Sequence, residues 1–306
     1  MKSSMPRRKF IQAAGAAAFA GASLFPSDGV GASQSTPASK KSPRLFAGCC
    51  AYSYHDYLAK RHMTMEEFIL KGVELGVDGV DVTGYWLKSH EPADLAALRH
   101  FAFKNGMPFS GVACGASMVQ ADKAKRDETL EDIKKWIGIT DALGAAHLRV
   151  FAGTLPGGAT AQLAIDWTVE VMKPACDYAG QRGITLGLED HQGITQRADA
   201  ILEIIHRVDS PYAGINLDIT NFVADSDEDQ YKDIEACVPY ATQTHIREEF
   251  GNSHHPVNMD RVWQIFARGG YRGYMSAEYE GKEDAMTAVP KLVDRIKTLC
   301  RKYSTA

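Results

Sequence analysis

Ile184-Thr185-Leu186-Gly187-Leu188-Glu189, Ala213-Gly214-Ile215-Asn216-Leu217-Asp218, Thr242-Gln243-Thr244-His245 and Tyr274-Met275-Ser276-Ala277-Glu278 are four strand-like runs in the second half of the chain. Each ends on a side chain of metal-ligand type. A charge closing an apolar run is unusual for a buried strand. Four in succession, each about one strand-helix unit from the next, form a pattern. In a closed parallel barrel the C-terminal ends of neighbouring strands converge on one mouth. Glu189, Asp218, His245 and Glu278 could therefore meet around one divalent cation.

Working outward, the same rhythm runs back to Leu45: apolar strand, loop, amphipathic helix, then the next strand. The strands expected are Leu45–Cys49, Val77–Val82, Pro108–Ala113, Ala146–Phe151, Ile184–Glu189, Ala213–Asp218, Thr242–Ile246 and Gly273–Glu278. The first long helix opens on a capping box, Thr64 with Glu67, and stops at Gly76. Other helices are expected to stop at Gly106, Gly144, Gly183 and Gly269, each just before a strand. Strands alternating with helices mean a parallel sheet. An open doubly wound sheet would carry a glycine-rich phosphate loop after its first strand, and Cys49-Cys50-Ala51-Tyr52-Ser53-Tyr54 stands there instead. The expectation is an α/β fold, a single-domain (β/α)8 TIM barrel over residues 44–303.

Residues 1–43 do not follow this rhythm. Arg7-Arg8-Lys9-Phe10-Ile11 precedes an Ala/Gly-rich stretch, and Val30-Gly31-Ala32 offers small residues for cleavage. Residues 1–32 read as a twin-arginine export signal and 33–43 as a Ser/Pro/Lys linker, with a periplasmic or other extracytoplasmic destination. The stretch is too short and too rich in Gly and Ala for a membrane span. Residues 1–32 hold four basic residues and one acidic residue, so without them the net charge moves from −4 to −7. That balance argues against a nucleic-acid backbone or an anionic membrane as partner. The six cysteines match no zinc or redox spacing and read as small buried hydrophobes.

Two Glu, one Asp and one His supply three hard oxygens and one borderline nitrogen. The set suits Mn2+ first, with Mg2+, Co2+ or Zn2+ also compatible, and not a thiolate metal. Such an ion can chelate adjacent carbonyl and hydroxyl oxygens of a substrate and stabilise an enediolate. A carboxylate beside it can remove a proton and a second can return it, or help a hydroxyl leave.

Gly187-Leu-Glu-Asp-His191, Leu217-Asp-Ile-Thr-Asn-Phe222, Thr244-His-Ile-Arg-Glu248, Gly270-Tyr-Arg-Gly-Tyr-Met-Ser-Ala-Glu-Tyr-Glu280 and Leu75-Gly-Val-Asp-Gly-Val-Asp81 together resemble the xylose-isomerase-like barrel superfamily, in its sugar phosphate isomerase/epimerase branch. The resemblance covers about residues 46–300. It implies metal ligands at Glu189, Asp218, His245 and Glu278, and a second role in moving the proton for Glu189 and Glu278. His191, two residues beyond Glu189, is a candidate for substrate oxygen or for support of the metal, or a loop residue capping a helix. Arg247 is a candidate substrate contact or a structural charge partner; Asn221 and Arg149 are candidates of the same kind. His55, Tyr54, Tyr85 and Trp86 follow the first two strands, where aromatic rings either stack on sugar C–H faces or pack the loops. His254 and His255 read as polar surface.

The expected activity is a metal-dependent isomerase or epimerase on a sugar or keto-sugar. A lyase or hydratase on a 3-keto-glycoside or inosose would use the same chemistry. Phosphorylated sugars are mainly cytoplasmic, so an exported barrel is expected to take a non-phosphorylated substrate. An endonuclease IV-like phosphodiesterase would need more histidines on the early strands, and a non-catalytic carbohydrate binder would not need both glutamates.

Overall fold

The side chains of the strands alternate between two chemistries, one facing the helices and one facing the interior of the sheet. The computed structural model of the chain describes residues 42–304. Among the described residues, eight parallel strands form a closed barrel in sequence order. They are β1 (Arg44–Cys50), β2 (Gly79–Thr83), β3 (Phe109–Ser117), β4 (His147–Phe151), β5 (Thr185–Glu189), β6 (Ala213–Asp218), β7 (Ala241–Ile246) and β8 (Arg272–Ala277). β8 pairs back onto β1 from Arg44↔Arg272 to Cys49↔Ala277. The (β/α)8 barrel expected from the sequence is thus the observed fold, and it is a single domain. No helix among the described residues is long and apolar enough to cross a membrane. The expected export signal and most of the linker lie outside the described residues.

Nine helices accompany the strands among the described residues: α1 (His55–Ala59), α2 (Met65–Leu75), α3 (Pro92–Lys104), α4 (Lys123–Leu143), α5 (Ala161–Gly180), α6 (Ala198–Val208), α7 (Asp227–Cys237), α8 (Met259–Gly269) and α9 (Ala285–Tyr303). α2 starts on the expected capping box: Thr64 Oγ1 accepts from Glu67 N at 3.1 Å, and Glu67 Oε2 accepts from Thr64 N at 2.7 Å. Gly76 ends it in the left-handed conformation, φ 64°. At the end of α8 the left-handed residue is Gly270, φ 70°, and Gly269 is still helical. A Gly-Gly pair does not reveal in sequence which member leaves the helix, because neither carries a Cβ to resist it.

In β5 to β8, Leu186, Leu188, Ile215, Leu217, Met275 and Ala277 point outward and are fully buried beneath the helices. Burial of each large apolar side chain is worth about 1.5–3 kcal/mol. The alternate positions point into the barrel, and there the lining is polar: Asp81, Ser110, His147, Asn216, Gln243 and Ser276 are all buried. Small residues make the room. A Cβ on Gly187 would sit 2.3 Å from His147 Nε2, and one on Gly48 would sit 2.4 Å from Ser276 Oγ. Glu189, Asp218, His245 and Glu278 all fall on the inward phase of their strands.

Candidate metal centre

β5 and β6 end on Glu189 and Asp218, His245 is the penultimate residue of β7, and Glu278 is the first residue beyond β8. The last is still held in strand register, since Glu278 N donates to Ile246 O at 3.0 Å. One donor atom from each of the four lies within 4.8 Å of the others. All four residues are buried, with exposures of 7 % or less. His245 Nδ1 is 3.0 Å from Glu189 Oε1 and 3.3 Å from Glu278 Oε1. Those separations match the edge of an octahedron, about 3 Å for a cation with bonds of about 2.1 Å. The sequence expected these four to meet, and the structure brings them together.

The charge balance also fits a cation. The buried carboxyls of Asp81, Glu189, Asp190, Asp218 and Glu278, with the exposed Glu280 at their edge, gather here against the guanidiniums of Arg149 and Arg247 and the His245 ring. Asp81 has no hydrogen-bond partner of ordinary geometry on either oxygen and is 3 % exposed. A buried carboxylate excess of this kind is compensated by bound positive charge. The residues present therefore fit a divalent ion, with Glu189, Asp218, His245 and Glu278 to hold it.

Arg149 projects from the interior of β4, and its Nη1 lies 3.2 Å from Glu189 Oε2. Its guanidinium stacks 3.9 Å above the Phe151 ring. Arg247 Nη2 donates to Asp218 Oδ2 at 2.8 Å and to Asn221 Oδ1, while Nη1 donates to Glu280 Oε2 at 2.8 Å. Arg247, Asn221 and Arg149 thus all stand at the centre, already engaged with its carboxylates or with each other. His191 is exposed on the rim, its ring 4.6 Å from that of Phe151.

The two glutamates differ in proton affinity. Burial alone would raise the carboxyl of Glu189, but Arg149 and then His245 hold it below the usual carboxylate range. Glu278 is raised, chiefly by burial, against the pull of His245. Environments that push two carboxyls apart in this way suit proton removal and proton return.

Several residues of the centre carried no signal that singled them out in the sequence. Asp190 Oδ1 accepts from Asp218 N at 2.8 Å and ties the end of β5 to that of β6. Glu280 holds the outer end of Arg247. Cys50 Sγ lies 3.7 Å from Glu278 Oε1, so this thiol is more than a space filler. Asp81 faces His245 from across the barrel. All six cysteines are buried and unpaired. At the rim, Tyr52 stacks on Trp86 at 5.5 Å and on His55 at 5.1 Å, and Tyr85 meets Trp86 edge-on at 5.3 Å. Tyr54 is not part of that wall. It is fully buried, 6.1 Å from Phe68, because the 3-10 turn after β1 rotates it away from the mouth. His255 pairs with Asp227 at 2.8 Å on the surface.

A family model described as xylose isomerase-like TIM barrel matches residues 70–299. No curated protein matches the chain by sequence. Among solved structures the chain is similar to a 3-keto-D-glucoside 4-epimerase from E. coli, with a TM-score of 0.67 and 14% identity over 84% of this chain and 99% of that one. It is similar to a D-allulose 3-epimerase from Methylomonas sp. in complex with D-allulose, with a TM-score of 0.62 and 19% identity over 87% and 97%. It is also similar to the IolI protein with a bound zinc atom, with a TM-score of 0.66 and 15% identity over 86% and 100%. At such identities the likeness is one of fold.

Proposed function

The chain belongs to the xylose isomerase-like TIM barrel family, and from that premise we propose that it is a divalent-metal-dependent isomerase or epimerase of a non-phosphorylated sugar or keto-sugar. The observation that carries this reading is the buried cluster of Glu189, Asp218, His245 and Glu278, with donor atoms within 4.8 Å of one another at the mouth of the barrel. The structures similar in fold include a 3-keto-D-glucoside 4-epimerase and a D-allulose 3-epimerase, which supports the substrate class. The export signal expected at residues 1–32 supports an uncharged substrate.

A bound divalent ion, Mn2+ for preference, would polarise a substrate carbonyl and its neighbouring hydroxyl and stabilise the enediolate left when a C–H proton departs. Glu189 and Glu278 flank His245, and each has its second oxygen turned to an arginine: Glu189 Oε2 to Arg149 at 3.2 Å, Glu278 Oε2 to Arg247 at 3.9 Å. One glutamate takes the proton and the other returns it on the opposite face. Arg149, Arg247, Asn221 and His191 are the residues that this reading assigns to substrate oxygens. The aromatic wall of Tyr52, Trp86 and Tyr85 shields one side of the mouth from water.

Elimination is the second reading, since the glutamate that has taken the C–H proton can pass it to a departing β-hydroxyl or β-alkoxyl group instead of returning it to carbon.

Proton NMR in D2O tests both. The protein, loaded with Mg2+, is mixed in turn with ketoses, inososes and 3-keto-glucosides. Deuterium is expected to enter at a carbon beside the carbonyl, with a loss of about 100- to 10,000-fold in Glu278→Gln. The product spectrum separates epimerisation from elimination. No exchange on any member of the panel, or an unchanged rate in Glu278→Gln, overturns the mechanism.

A further inference from the structure

We infer that Asp81 is the positioning residue of the metal centre: its carboxylate holds the Nε2 side of the His245 ring, so that Nδ1 turns its lone pair toward the glutamates. The inference rests on the metal-centre reading above and adds a residue that does not itself touch ion or substrate.

β2 and β7 are not neighbours in the barrel; β1 and β8 lie between them. Asp81 and His245 nevertheless meet across the interior, with Oδ1 3.6 Å from Nε2. The opposite ring nitrogen is the one beside Glu189 and Glu278, at 3.0 and 3.3 Å. A neutral imidazole has one N–H and one lone pair. If Nδ1 gives its lone pair to an ion held by those glutamates, the proton sits on Nε2 and is aimed at Asp81. The carboxylate then receives the donor that it otherwise lacks, since both its oxygens are buried without a hydrogen bond of ordinary geometry. A metal-bound histidine commonly donates its second ring N–H to a carboxylate, which fixes the tautomer and the ring plane.

The surroundings of Asp81 hold it to this task. The groups that face it most closely are His245 from β7, Cys50 from β1 and Ser276 from β8, and the buried His147 ring of β4 also feels its charge. Asp81 is the direct register partner of Cys50, and Ser276 that of His245. Ser276 Oγ in turn accepts from Gln243 Nε2 at 3.4 Å. No lysine or arginine is among these groups, and of the two buried histidines that feel its charge, His245 is the one within ion-pair distance of Asp81.

The test separates this inference from the sugar chemistry by reading the metal alone. Mn2+ binding, followed by the EPR signal of the free ion, is expected to weaken on the order of 10- to 100-fold in Asp81→Asn and Asp81→Ala, less in the isosteric Asn variant. Equal affinity within about two-fold in both folded variants overturns the role. A second readout needs no variant. In the Mg2+-loaded parent, the ring proton of His245 is expected on Nε2 and shifted downfield in a histidine 15N–1H NMR spectrum. A proton on Nδ1 instead overturns the inference. A parent protein that binds no Mn2+ fails the metal-centre reading itself, which is a different result from either.

Discussion

At the scale of single residues, His147 shows how the lining of this barrel couples to pH. It occupies the space left by Gly187 and Gly111, with Nε2 3.1 Å from Thr242 Oγ1. Burial pushes its pKa down to about 4, against a smaller upward pull from Asp81, while His245 and Arg149 push it further down. The folded protein therefore resists protonating this ring, whereas the unfolded chain takes the proton near its ordinary value. Between those two values the unfolded state binds more protons, so stability falls as pH falls. From about pH 7.5 to about pH 5 this one group should remove about 2 kcal/mol. Urea unfolding across that range should show the loss in the parent and a flatter slope in His147→Gln. Equal slopes would sink the assignment. The four candidate ligands were legible in sequence because each joins the right chemistry to the right phase of a strand end. Asp81 and Asp190 were not, since an aspartate inside or just past a strand looks like any solvated acid until its partner, on a distant strand, is known.

At the scale of elements, the strand phases and the stops of α2 and α4 at Gly76 and Gly144 were readable. α5 ends at Gly180, short of the expected Gly183, and the loops were not readable. β3 runs to Ser117, beyond the expected Ala113, with a register irregularity against β4 that no residue type announces. The loop after β5, which carries His191, touches the loop after β4 backbone to backbone. Gly193 has φ 68°, and a Cβ there would lie 2.2 Å from the carbonyl oxygen of Gly153. Neither side of that contact is a flexible side-chain tip. Gly193→Ala should destabilise the protein by about 1–3 kcal/mol through strain and displacement of the loop. A urea midpoint matching that of the parent would show that the two loops part without penalty.

At the scale of the whole molecule, the centre draws on nearly the full circumference of the barrel. β5 to β8 carry the candidate ligands, while Arg149 comes from β4, Asp81 from β2 and Cys50 from the end of β1. An ion held there binds the folded barrel and not the unfolded chain, whose ligands are scattered from residue 189 to residue 278. Mn2+ at 100 times its Kd should thus stabilise the fold by about 2.7 kcal/mol. Calorimetry should show a melting temperature several degrees higher with Mn2+ than with a chelator. Coincident melting curves would argue that the four side chains hold no ion.

The sequence by itself determined the barrel and the identity of its mouth. Period-two alternation along strands, helices between them and charges at four successive strand ends are local patterns, and closure of a parallel sheet converts them into one place. Only the tertiary structure decided which groups stand behind that place. The pairing of Arg149 with Glu189, the tie from Asp190 to Asp218 and the approach of Asp81 to His245 join residues far apart along the chain. Their physical cause is the need of buried charges for partners, and which partner each one finds depends on strand register and on where glycine leaves room, which no single segment encodes.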